Sequence, residues 1–476
     1  MFLGREQELE SLNALLRKTT SSLVVCRGRR RIGKSTLIKH FAQKTARFIE
    51  FQGLPPVENP RTEDQLKAFA QQLTRQTGIP KLSLAAWDQA FALLASQIRN
   101  EKTVVLLDEI SWMAAGDRNF AGYLKIAWDT QFKTHDHLVL VVCGSVSAWI
   151  QENILNNTGF VGRISLTLTL DPLPLYHCNR FWSEKTDRIS SLEKLKILAV
   201  TGGVPRYLEE IDTSRSAEQN IHRLMFRKDG FLFGEFGKIF HDIFSPRAPI
   251  YRSIVQALGQ GPLSLHQVAA KIGKERNGYL AQCLEHLELS GFVKKYPVYV
   301  PGAKRASRLH QYRISDNYLR FYLKYVEPVQ SQIEQDLYRT APLQGIIAWD
   351  PILGIQFETL VLSNLHALLK LLDIAKDPLS WAGPYFQNKT NRHEACQIDL
   401  LLQTTHILYV CEIKRRSAIG PEVIEEVREK IRRLAAPANL TVRMVLIYQG
   451  TLSDELIHRR CFDHTISFEE MLKSRV

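Results

Sequence analysis

The sequence predicts an α/β chain of several units, led by a parallel sheet with crossover helices. Three observations carry this. Residues 1 to about 170 alternate helix-period segments with short apolar runs, the pattern of parallel strands joined by helices. A glycine-rich loop, Gly28 to Thr36, sits between one such run and a helical segment. The 476 residues, at about 150 per domain, call for roughly three separate cores.

Each element follows in order. A helix is expected over Glu6 to Arg17, then a strand Ser22 to Cys26, a helix from Lys34, and strands Thr103 to Leu107 and Leu138 to Cys143. Residues 1–170 therefore form the sheet unit. Past Pro172 strand signals stop, and helix-period patterns, including Ser191 to Ile211, mark residues 171–240 as a helical lid. In residues 241–327, helix-like segments Ile250 to Leu258, Leu263 to Ile272 and Arg276 to Ser290 precede a run, Val293 to Ile314, that alternates apolar and basic residues around the turn Pro301-Gly302. Helix, turn, helix and basic hairpin resemble a winged helix, with Leu280, Leu284, Leu287 and Leu289 facing its core. Residues 328–476 make a fourth, α/β unit. There a helix around Phe357 to Leu371 precedes strands Ile398 to Leu402, Ile407 to Lys414 and Val442 to Tyr448, with a helix from Pro421 to about Leu434 between the last two.

The charge sum is +13 and the pI about 9.3, which predisposes the chain toward polyanions. With 45% apolar and 23% charged residues it is globular, not collagen-like or wholly disordered. No apolar run approaches the roughly eighteen residues of a membrane span. Seven cysteines stand singly, without a C-x-x-C pair, so neither a disulfide framework nor a zinc ribbon is indicated. A reducing cytoplasm and no membrane partner are the expectation.

The strand Leu23-Val24-Val25-Cys26 runs into Gly28-Arg29-Arg30-Arg31-Ile32-Gly33-Lys34-Ser35-Thr36, an intact G-x-x-x-x-G-K-S loop. Its backbone N–H groups and the following helix N-terminus suit a phosphate, Lys34 neutralises the outer phosphates, and the Ser35 hydroxyl suits Mg²⁺. Two of the three loop arginines are expected to be solvated. At the end of Val104 to Leu107, Asp108 is placed to hold Mg²⁺ and Glu109 to polarise an attacking water. Ser145, at the end of the next strand, could report on the terminal phosphate. ATP and Mg²⁺ are the cofactors these residues call for.

These residues resemble the archaeal-type ATPase group, a branch of the AAA+/STAND P-loop ATPases. The resemblance rests on Phe2-Leu3-Gly4-Arg5-Glu6-Gln7-Glu8-Leu9, the Gly28 to Thr36 loop, Leu106 to Glu109, Gly144-Ser145, Gly162-Arg163 and Gly202-Gly203-Val204-Pro205-Arg206-Tyr207-Leu208. It implies an N-terminal segment near the adenine, a sensor at Ser145, and a lid carrying the Gly-Gly-x-Pro-x-Tyr-Leu stretch. Arg163 is the candidate for touching the terminal phosphate, in cis or across a subunit boundary of a homo-oligomer, with Arg206 the weaker alternative.

In the last unit a turn over Gln403-Thr404-Thr405-His406 would pair Asp399 with Val410. Asp399 would then share a face with Glu412 and Lys414, two carboxylates and a lysine able to hold Mg²⁺ and orient water. This set resembles the PD-(D/E)XK nuclease core, without the proline that precedes the first acid in that pattern. The resemblance implies a restriction-endonuclease-like domain with Asp399 and Glu412 as ligands of Mg²⁺ or Mn²⁺, Lys414 beside the water or the phosphorane, and Glu358 as a helical acid. DNA is the expected partner: Lys294, Lys295, Lys304, Arg305 and Arg308 alternate with Tyr296, Tyr299 and Tyr312 on the hairpin. The run Lys414-Arg415-Arg416, with Arg428, Lys430, Arg432 and Arg433, could also receive a DNA backbone, although Glu412, Glu422, Glu425, Glu426 and Glu429 dilute it. The expectation is a Mg²⁺-dependent ATPase that binds and cleaves DNA. The alternative is an ATP-dependent oligomerising switch whose C-terminal domain binds DNA or protein without cutting.

Overall fold

The structure, a computed structural model, describes all residues except 1, 56–59, 81, 146, 245–247, 302–306, 308, 341, 390–393, 435–438 and 476, and the side chains of 241–244. The chain gathers into two compact units. One holds residues 1–171, 238–248 and 285–291; the other holds 172–237, 249–284 and 292–476. Most of residues 172–476, across the sequence divisions at 240 and 327, fall in the second unit, while the stretches 238–248 and 285–291 belong to the first.

In the first unit β1 (Ser22–Gly28), β2 (Arg47–Gln52), β3 (Thr103–Asp108), β4 (Leu138–Gly144) and β5 (Ile164–Leu170) form one parallel sheet in the order β2-β3-β4-β1-β5. Both faces are covered, so the central strands carry unbroken apolar runs over residues 23–26, 104–107 and 138–143. Val24, Val104, Leu106 and Val141 enter one core with the helices Glu6–Leu15 and Lys34–Ala42. Their neighbours Val25, Val105, Leu107 and Val142 enter the other, against helices Thr62–Thr77, Trp87–Ser96 and Phe120–Thr130. Trp128 belongs to that core and Trp149 packs on it; Trp112 is half-buried. The two strands that the sequence did not announce, β2 and β5, are the sheet's edges. Their I-S-L-T-L-T-L and R-F-I-E-F-Q patterns mix polar residues into the strand because one edge stays in water.

Early in the second unit, after a short helix Leu175–Asn179, come helices Ser191–Thr201, Pro205–Leu208 and Ala217–Met225, the first of these ended at Gly202-Gly203, where Leu173 N–H donates to the Gly203 carbonyl at 2.7 Å. Helices Leu265–Lys271 and Gly278–Leu289 precede the antiparallel hairpin β6 (Val293–Pro297) and β7 (His310–Ile314), and Leu263 adds a bridge to Tyr312. Leu280, Leu284 and Leu287 are buried as expected, while Leu289 is only half-buried. Gly302, Lys304, Arg305 and Arg308 lie outside the described residues.

A second five-stranded sheet follows: β8 (Trp381–Gln387), β9 (Cys396–Gln403), β10 (Ile407–Ile419), β11 (Thr441–Leu452) and β12 (His464–Ser467), in the order β12-β11-β10-β9-β8. β8, β9 and β10 are antiparallel neighbours; β10, β11 and β12 run parallel, with helix Glu422–Arg433 crossing between β10 and β11. Val423, Ile424 and Val427 of that helix are buried against the sheet. The turn is tighter than the sequence suggested. Thr404 N–H donates to the Ile407 carbonyl at 2.9 Å, leaving Thr405-His406 as the tip, and Leu400 pairs with Cys411. The register therefore moves by two residues, and Asp399 faces Glu412 instead of Val410. Because two is the strand period, the shared face survives.

The long helix expected at Phe357 to Leu371 is two helices, Trp349–Ser363 and Leu365–Leu371, bent by 78°. Among the described residues no single helix is long and apolar enough to cross a membrane. The bent pair reaches that length and composition only together, and its Ile352, Leu353, Phe357 and Val361 are buried within the unit.

Candidate nucleotide site and candidate carboxylate site

The loop after β1 is shaped by two glycines. A Cβ on Gly28 would stand 2.5 Å from the Leu170 carbonyl oxygen of β5, and Gly33, at φ 88°, sets the left-handed turn into helix Lys34–Ala42. The Lys34 ammonium is buried and donates to the carbonyls of Gly28 (3.0 Å) and Arg29 (3.2 Å), drawing the loop around itself. Thr36 is exposed on the helix's first turn. None of the three arginines is freely solvated. Arg29 is buried and donates to the Arg30 carbonyl, and Arg30 and Arg31 are half-buried.

Parallel strand order brings the ends of β3 and β4 beside that loop. Ser35 Oγ donates to Asp108 Oδ2 at 2.6 Å, and Glu109 N–H donates to Asp108 Oδ1 at 3.1 Å. Glu109 sits in the left-handed region, at φ 50°, which turns its carboxylate toward β4, where Ser145 N–H (3.2 Å) and Oγ (2.9 Å) both donate to Oε2. Ser35 and Asp108 form a hard-oxygen pair at the loop's helix end, a donor set that fits Mg²⁺. Glu109, one residue on, is aimed by neutral donors. These groups converge as the sequence implied.

Arg163 does not. β5 starts at Ile164 beside Leu23 and ends at Leu170 beside Gly28, so Arg163 stands at the strand-start edge, ~20 Å of strand from the loop at about 3.3 Å per residue. Its guanidinium is forked onto Asp129 at 2.7 and 2.9 Å, which, with Lys125, holds the Asp129 carboxyl well below the usual range. A contact in cis is ruled out by this topology. Arg206 pairs with Glu209 and Glu210 and lies over the Phe231 ring. What the sequence reading passed over is Arg5. Held at φ 69°, it donates to the carbonyls of Ile32 (3.3 Å) and Asp171 (2.7 Å), clasping the loop from behind.

In the second unit Asp399 and Glu412 come together at the end of the β9–β10 ladder. Ile413 N–H donates to Asp399 Oδ2 at 3.0 Å. Glu412 is 1% exposed, and each of its oxygens bears an ammonium: Lys414 at 2.8 Å and Lys430 at 2.6 Å. Burial, then the Glu412 charge, pushes the Asp399 carboxyl well above its ordinary range, against the pull of Lys430. Burial would lower the Lys414 and Lys430 ammonium groups, but the carboxylates around them carry both upward. Two carboxylates and a neighbouring main chain are oxygen donors that suit Mg²⁺ or Mn²⁺. Glu358 does not join them as a ligand. Its carboxylate is ion-paired with Arg313 of β7, and among the described residues no three His, Cys, Asp or Glu side chains gather as a metal set.

The surfaces expected to meet DNA are also spoken for. Tyr296 and Tyr312 are buried, and Tyr299 stacks on Trp381 at 4.4 Å and donates to Gln403, so the hairpin's aromatic rings serve packing; Lys294 remains exposed. Arg415 pairs with Asp350, Arg416 with Glu422 and Glu426, Arg428 with Glu425, and Arg432 and Arg433 with Glu429. Lys430, expected on that outer face, points inward instead.

The loop, the Asp108-Glu109 pair and Ser145 on one parallel sheet define a P-loop ATPase domain. Residues 2–211 match the family described as an ATPase domain predominantly from Archaea. An uncharacterized protein of Methanocaldococcus jannaschii is 24% identical over 371 residues, 78% of this chain and 79% of that protein. Among solved structures, a Walker-type ATPase of Pyrococcus abyssi is similar at 18% identity and TM-score 0.49, over 68% of this chain and 96% of that one. The ORC2 protein of Aeropyrum pernix follows at 16% and 0.40, over 71% and 95%.

Proposed function

We propose that the chain is a Mg²⁺-dependent ATPase whose nucleotide state gates a C-terminal half that binds and cuts DNA. In the first unit the loop amides and Lys34 neutralise the phosphates, Ser35 and Asp108 hold the ion, and Glu109, aimed by Ser145, takes the proton of the attacking water. Bound Mg²⁺ would screen the charge between the two outer phosphates. Arg163, being far from its own loop, would serve only a neighbouring copy in a homo-oligomer.

The helices and hairpin of residues 241–327 act as a winged helix on DNA, and residues 328–476, in the second unit, as a PD-(D/E)XK-type nuclease domain. The observation that carries this reading is the facing pair Asp399 and Glu412, with Lys414 next along the same face of adjoining strands. Asp399 and Glu412 would hold Mg²⁺ or Mn²⁺, and Lys414 would orient the water. Incubating plasmid or branched DNA with Mg²⁺ or Mn²⁺, with and without ATP, tests it. Cleavage that vanishes in Asp399→Ala and Lys414→Ala is expected; cleavage surviving in both sinks the assignment.

One observation favours a second reading: both Glu412 oxygens already carry ammonium groups. On that reading the chain is an ATP-dependent assembly switch whose C-terminal half binds DNA or protein without cutting. It calls for salt-sensitive DNA affinity and an ATP-dependent elution volume with intact plasmid.

A further inference from the structure

Lys430 and Lys414 touch the same carboxylate in different circumstances. Lys414 is fixed on two sides, 2.8 Å from Glu412 and 2.6 Å from Glu426. Lys430, in the last turn of helix Glu422–Arg433, is held by the facing acids themselves: its Nζ is 2.6 Å from Glu412 Oε2 and 3.9 Å from Asp399 Oδ1, so it spans the pair. Two carboxylates facing each other with little water repel, and a cation between them relieves that repulsion. Lys430 supplies that cation from the protein itself, on a flexible four-carbon stem whose side chain is 25% exposed and so has room to swing outward.

We propose that Lys430 is an internal counter-ion that competes with a divalent metal ion for Asp399 and Glu412 and thereby sets the metal concentration at which the site loads. This rests on the reading of that pair as a metal site. Without the ion, the ammonium keeps the pair folded; with it, a doubly charged ion must evict a singly charged one. Lys430 is a positioning residue here: it touches the ligands, not a substrate.

The test is Mn²⁺ binding to the full chain without nucleotide, by titration calorimetry and by the Mn²⁺ spin-resonance signal, in wild type, Lys430→Met, Lys430→Gln and Asp399→Asn. Sites lost in Asp399→Asn are those at the pair, which separates them from binding near Asp108. Both Lys430 variants are expected to bind there roughly ten- to a hundredfold more tightly than wild type. They should also melt lower than wild type without Mn²⁺ and gain more on its addition, a readout that holds even if one variant is poorly folded. Equal Mn²⁺ affinity in wild type and both Lys430 variants, with binding lost in Asp399→Asn, overturns the competition and leaves the metal site standing. No binding that depends on Asp399 in any variant overturns the metal site itself.

Discussion

The two sites hold their acids by opposite means. Asp108 and Glu109 are held by neutral donors, the hydroxyls of Ser35 and Ser145 and two backbone N–H groups, and among the described residues neither is ion-paired with a cationic side chain. Asp399, Glu412 and Glu358 are held by cations, Lys430, Lys414 and Arg313. A hydroxyl can turn from donating to a carboxylate to accepting from a metal's side without leaving, whereas an ammonium has to be removed. The first arrangement is built to receive a cation directly; the second already contains one.

The comparison can be broken most forcefully at the first site. Lys34→Ala and Asp108→Ala should each cut ATP turnover roughly a hundredfold or more, since each removes charge-bearing contacts to the phosphates or their ion. Unchanged turnover in either would mean the loop is not where hydrolysis occurs. Ser145→Ala removes only the hydroxyl that aims Glu109 and leaves the backbone donor, so turnover should fall by about tenfold, equivalent to about 1.4 kcal/mol, with nucleotide affinity nearly unchanged. A larger drop in affinity than in rate would shift Ser145 from aiming the acid to binding nucleotide.

At the second site the difference is legible in pH. The Asp399 carboxyl is raised from 3.8 to about 7, so the fold favours its protonated form. The resulting stability is fully present below about pH 4 and is lost as pH rises through about 7. Asp399→Asn cannot lose it. The variant should match wild type in melting temperature near pH 4 and exceed it by a few degrees at pH 8; a variant less stable at pH 8 would mean the charged pair is favourable as it stands. The smallest effect is expected from Arg163→Ala, which should alter turnover less than about twofold in dilute protein, because its surface ion pair with Asp129 is worth about 0–1 kcal/mol. A large loss that grows with protein concentration would instead place it at a neighbour's phosphate.

The nucleotide site was readable because its geometry is local. The loop, the strand before it and the helix after it are contiguous, and the apolar runs of β3 and β4 end at their acids and serine. For Arg163 the sequence leaves contact in cis and across a subunit boundary both open, because a motif carries no strand direction; the register of β5 against β1 removes the first and leaves the second. The C-terminal acids were found by period-two alternation, which survived a register error of two residues. Glu358 is legible only through the nuclease-like pattern, while its partner Arg313 and the inward turn of Lys430 are not, since the three lie on segments far apart in sequence. Basic residues interleaved with tyrosines suggested a nucleic-acid surface, but the pattern equally fits a hairpin packing its rings inward, and Tyr299 on Trp381 shows which use prevails.

Arg5 adds a mechanical consequence. Its guanidinium joins Ile32, inside the phosphate loop, to Asp171, where the chain leaves the first sheet. A tug on that exit point is therefore felt by the loop through this side chain as well as through the pairing of Leu170 with Gly28.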